Sequence, residues 1–96
     1  MDTPLELHFM RKAMDAINQK LVAVLHDRAR LCRAIGIWKR SRGLAAADPA
    51  REDAMLERLV RALPADGFTA AQLTTILHAV FAASREVVGT AHDDRS

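Results

Sequence analysis

The chain has a single cysteine, Cys32, in 96 residues. One thiol excludes an internal disulfide and suits a reducing compartment. Glycine and proline are scarce, at four and three residues, and aromatics make up only 4%. That composition favours helices over a sheet. No apolar run approaches the ~20 residues of a membrane span, and the opening "MDTPLELHFMRK" has no apolar signal core. The expected address is therefore cytoplasmic, with no membrane partner. Charge of one sign is lacking too, since 14 basic residues face 12 acidic ones for a net +2. The excess is too small to imply nucleic acid, while a pI near 9.2 fits small anionic ligands. His8, His26, His78 and His92 show no metal-ligand spacing. No glycine-rich phosphate loop and no Ser-His-Asp or Cys-His set is legible. Neither a metal nor a cofactor is expected.

Half of the residues are hydrophobic, and their spacing predicts an all-α fold of three helices in one domain, residues 1–96. In the first helix Thr3 caps, Pro4 suits the opening turn and Glu6 completes a capping box. It runs without proline to "SRGL", where Gly43 is the natural stop. Gly36 sits inside it at a modest local cost. The second helix starts at Asp48 as cap with Pro49 following, and buries Met55, Leu56, Leu59, Val60 and Leu63. The third starts at Thr69 with Gln72 as its capping-box partner. Its stripe is Leu73, Ile76, Leu77, Val80, Phe81, Ser84 and Val87 or Val88. "GTAHDDRS" reads as a frayed end, with order expected over about 4–90 and a tail at 91–96. No repeat, low-complexity tract or linker interrupts this plan.

The first helix is long for its chain. Some forty residues at ~1.5 Å each give a rod of roughly 60 Å. A compact chain of this length has a radius of gyration of ~12.5 Å and spans only about 32 Å. The remaining residues cannot cover such a rod, so a partner chain is expected, most simply a symmetric homodimer. Steps of four and three along the rod give an apolar seam: Met10, Met14, Ile17, Leu21, Val24, Leu31, Ile35 and Trp38. Met10, Met14 and Met55 are expected in the core, and Trp38 and Phe81 read as packing residues. One seam position, Arg28, is charged. Taken alone it reads as an interface arginine paired with a carboxylate or reaching to the edge, because an uncompensated buried guanidinium is very costly. Lys39, however, lies eleven residues on, about 20° off the same line and roughly 16 Å along the axis. Two cations on one apolar face leave a gap that suits a small dianion. Arg51 and Glu52 occupy the first turn of the second helix. Glu52 complements the helix dipole there, whereas Arg51 opposes it. Ser84 lies on the apolar face of the third helix, where bonding back to its own helix is common.

These residues form a known pattern. "LHFMRKAMDAINQKLVAVLHDRARLCRAIGIWKRSRGLAAADPAREDAMLERL", followed by "FAASR", resembles the AroQ-type all-helical chorismate mutases in their stand-alone form. The resemblance covers nearly the whole chain. It implies an intertwined homodimer, with two sites that each draw Arg11 from the other chain. It implies rearrangement of chorismate to prephenate, in phenylalanine and tyrosine biosynthesis, without a nucleophile, metal or cofactor. Arg11 and Arg28 would hold the two carboxylates. Lys39 would donate to the ether oxygen, and Glu52 would accept from the ring hydroxyl near Asp48. Arg51 and Ser84 would support these contacts, with Ile35, Met55 and Phe81 as apolar walls. One position departs from the family: relatives commonly carry glutamine or glutamate four residues after Ser84, and here it is Val88.

Rivals share parts of this pattern. An isochorismate-pyruvate lyase or an amino-deoxychorismate mutase would use the same fold. A weak mutase would need a partner such as a DAHP synthase. A non-enzymatic helical or DNA-binding module would need a clustered basic surface, whereas these charges alternate in sign.

Overall fold

The computed structural model describes residues 4–93. Among the described residues there are three α-helices and no strand: α1 (Pro4–Ser41), α2 (Pro49–Arg61) and α3 (Ala70–Asp93). The local signals act where the sequence places them. Asp48 caps α2 by accepting from the Arg51 N–H at 3.2 Å. Thr69 and Gln72 bond reciprocally: the Thr69 N–H donates to Gln72 Oε1 at 3.0 Å, and the Gln72 N–H to Thr69 Oγ1 at 3.1 Å. At the end of α1, Gly43 adopts φ 66°. Its N–H reaches Arg40 O at 3.1 Å and the Leu44 N–H reaches Lys39 O at 2.8 Å. These two bonds form a Schellman stop, which needs the left-handed backbone that glycine allows. The Thr3 cap lies outside the described residues.

α3 lies along α1, and α2 packs against α3. The chain is flat and long, 61 × 31 × 15 Å, with a radius of gyration of 17.7 Å against ~12.5 Å for a compact chain. Among the described residues few are buried: Cys32 and Gly36 on α1, and Phe81 and Ala91 on α3. All four lie where those two helices meet. The approach is closest at Gly36, where an added Cβ would fall 2.6 Å from Val88 O and 3.0 Å from Ala91 Cβ. The glycine that reads as a local cost in sequence is thus a condition of packing.

Three expectations need correction. The end of α3 is not frayed from Gly89. The helix continues to Asp93, Ala91 is buried against Gly36, and His92 Nε2 lies 2.8 Å from Leu44 O. Residues 94–96 lie outside the described residues. Nor does a single chain bury the stripe of α2, of which no residue is fully buried and Leu59 is 45% exposed. Met10 and Met14, expected in the core, are 65% and 55% exposed. With them the whole α1 seam stands open, Ile17, Leu21, Val24, Leu31, Ile35 and Trp38 included. Trp38 instead carries Arg42 over its ring at 5.0 Å. The physical reason is area, because α3 covers only one side of α1 and α2 packs against α3 instead. No helix among the described residues is long and apolar enough to cross a membrane.

The two glycines near the α1–α3 contact predict opposite outcomes. Gly36→Ala forces a Cβ against a backbone carbonyl. It should lower stability by about 1–3 kcal/mol despite its better helix propensity. Gly89→Ala meets nothing within 4 Å and should gain up to ~1 kcal/mol. Urea unfolding followed by circular dichroism measures both.

Candidate active site

One spacing, i, i+3, i+4 and i+7, builds a cleft from all three helices. On α1 it gives Arg28, Leu31, Cys32 and Ile35, with Lys39 one turn further. On α2, counted from its cap, it gives Asp48, Arg51, Glu52 and Met55. On α3 it gives Phe81, Ser84, Arg85 and Val88, with Gly89 beside it. Such positions share one face of a helix. Ala46 and Ala47 of the α1–α2 connection complete the wall. The cleft measures about 540 Å³, within the range of small-molecule sites.

Four cations, Arg28, Lys39, Arg51 and Arg85, line it against two carboxylates, Asp48 and Glu52. The surplus of two positive charges suits a dianion. Arg28 is partly buried, with its guanidinium carbon 5.4 Å from the centre of the Phe81 ring. The ring face offsets part of the cost of placing that cation in an apolar wall. Arg28 Nε is buried and has no hydrogen-bond partner among the described residues. Such an orphan donor is expensive unless a ligand completes it. Lys39 Nζ donates to Ala46 O at 3.2 Å, which ties the connection to α1. Ser84 Oγ donates to Val80 O at 2.7 Å. Its proton is engaged within its own helix, so toward the cleft it presents lone pairs. Glu52 pairs with Arg85 across the α2–α3 boundary.

A family model for chorismate mutase type II matches residues 10–88. The chain belongs to that family. No curated protein matches it. The matched span begins one residue before Arg11 and ends on Val88. It therefore contains every site position that the sequence suggested for a type II chorismate mutase. Nine of the ten suggested residues line the one cleft: Arg28, Ile35, Lys39, Asp48, Arg51, Glu52, Met55, Phe81 and Ser84. Arg11 does not. It is exposed on α1, seventeen residues and about 25 Å before Arg28, away from the cleft of its own chain.

Arg85, Cys32 and Leu31 were missed in sequence. Arg85 stands next to Ser84 in "FAASR" but was not singled out there. The spacing that selects Asp48, Arg51, Glu52 and Met55 would have found it from Phe81.

Arg28→Leu separates site from scaffold. Replacing a cation whose buried Nε is unpartnered by an apolar side chain should leave the helical content intact and raise stability by up to ~1–3 kcal/mol. Binding of a small cyclic dicarboxylate should be lost. Calorimetric titration beside urea unfolding tests this, and retained dianion binding would remove Arg28 from the ligand.

Proposed function

We propose that this protein is a chorismate mutase, converting chorismate to prephenate by a [3,3] rearrangement. One observation carries the reading: the cleft joins two surplus positive charges to apolar walls, inside a chain of the type II family. The reaction breaks an ether C–O bond and forms a C–C bond within one molecule, with no proton or group transferred to the protein. It calls for a folded substrate and for positive charge where the ether oxygen becomes negative.

The cleft residues divide along those lines. Arg28 supplies a planar fork for one carboxylate, with Nε as the unpartnered donor. Lys39 directs an ammonium at the ether oxygen. It stays close to Ala46 O, which holds the group at the wall before substrate arrives. Arg51 adds positive potential from the first turn of α2. Glu52 accepts from the ring hydroxyl with the Asp48 region beside it. Ser84, its proton engaged by Val80 O, accepts rather than donates on the α3 side. Ile35, Met55 and Phe81 keep water away and so strengthen these charges. Val88 contributes no donor, so the ether-oxygen side rests on Lys39.

The second carboxylate needs Arg11, and Arg11 needs a second chain. The exposed seam of α1 supports a homodimer in which the two rods pair and each supplies Arg11 to the other's cleft. Loss of chorismate's ultraviolet absorbance, with the product identified, tests the activity. Prephenate supports it, while released pyruvate would reassign the protein as a lyase.

Two further outcomes are expected. The chain should sediment at micromolar concentration with about twice its mass of 10.6 kDa. Arg11→Ala and Arg28→Ala should each be inactive alone. After subunit exchange each heterodimer carries both lesions in one site and none in the other, so activity should return. Exchange without recovery would place both arginines in one chain's site. Val88→Gln should raise kcat more than it changes KM, because an amide bond to the ether oxygen strengthens as charge develops. The ceiling is about 3–4 kcal/mol, the typical worth of one such donor. An unchanged kcat would mean that another group already fills that place.

A further inference from the structure

The two cleft carboxylates have different occupations. Asp48 is engaged as the cap of α2. Glu52 is bonded through Oε1 to Arg85 Nη1, so the pair joins α2 to α3 at the edge of the cleft. The side chain of Glu52 is 21% exposed and that of Arg85 is 53% exposed. Glu52 thus lies on the inner side and Arg85 on the solvent side. One carboxylate oxygen accepts from the guanidinium, and the other can accept a hydrogen bond from a ligand.

A lone carboxylate in such a place accepts from a neutral hydroxyl or from an ammonium, and it favours the ammonium. Coulomb attraction then adds to the hydrogen bond. Arg85 reverses that preference. With a guanidinium already on Glu52 the attraction is largely cancelled, and an ammonium there faces Arg85 as a like charge. A hydroxyl carries no net charge and keeps its acceptor. Arg28, Lys39 and Arg51 also repel an ammonium, but they are unchanged when Arg85 alone is replaced.

We propose that Arg85 is a specificity-determining residue: by neutralising Glu52 it makes the cleft favour a cyclic dicarboxylate bearing a hydroxyl at that position over the same compound bearing an ammonium. The inference rests on the reading that Glu52 receives the substrate's ring hydroxyl. It requires no contact between Arg85 and the substrate.

The test compares chorismate with its 4-amino-4-deoxy analogue at neutral pH, where an alkyl amine is protonated. Each is measured as a substrate and as a competitive inhibitor, so a preference ratio exists even where the analogue turns over slowly. Arg85→Gln should move the ratio toward the amine by on the order of tenfold. Arg85→Lys keeps the charge and should stay near the starting ratio. Glu52→Gln should move it the other way, because the amide still accepts from a hydroxyl while Arg85 is left unneutralised. A folded Arg85→Gln protein with an unchanged ratio overturns the proposal and leaves the mutase reading intact. Should Arg85→Gln fail to fold, Arg85→Met, which keeps the aliphatic stem and drops the charge, decides, and an unchanged ratio overturns the proposal. A wild-type protein that neither converts nor binds chorismate overturns the functional reading itself.

Discussion

The approach of α3 to α1 at Gly36 is the contact on which the rest of the chain depends. A carbonyl of one helix sits where any side chain on the other would stand. Close packing of this kind tolerates almost no added volume. Every buried residue among those described lies on α1 or α3. The cleft runs past that contact, from Arg28 to Lys39 on α1 and from Phe81 to Gly89 on α3. Phe81 comes under Arg28.

The chemistry that this geometry supports is electrostatic. The cleft holds cations whose positions are set by neighbours rather than by one another. Arg28 rests on an aromatic face, Lys39 is tied to Ala46 O, and Arg85 is bonded to Glu52. Fixed charges in an apolar wall need not reorganise as a substrate's own charge shifts. The α1–α2 connection takes part in that rigidity. It is held by Lys39 at Ala46 O, by His92 at Leu44 O and by the Schellman bonds around Gly43.

Most of this was legible in sequence wherever the signal is local. Asp48, Thr69 with Gln72, and Gly43 act within a few residues of themselves, and each does what its spacing suggests. Arg28 and Lys39 share a face because helix periodicity alone places them there. What escaped depends on which helices meet. Gly36 looks like a defect until α3 lies across it, and Ala91 and His92 look like a frayed end until Gly36 and Leu44 receive them. Arg85 carries no signal of a partner in its own segment, because Glu52 comes from α2. The open seam of α1 was legible as a rod too long for its own chain to cover, since length and hydrophobic spacing both precede any knowledge of packing.

The separation of Gly36 from its partners also bears on how the chain is made. The residues that close on it, Val88 to His92, come more than fifty positions later. At roughly 5–20 residues per second of synthesis, a newly made first helix waits several seconds before its own chain can offer the surface it packs against. Throughout that interval its apolar face is bare.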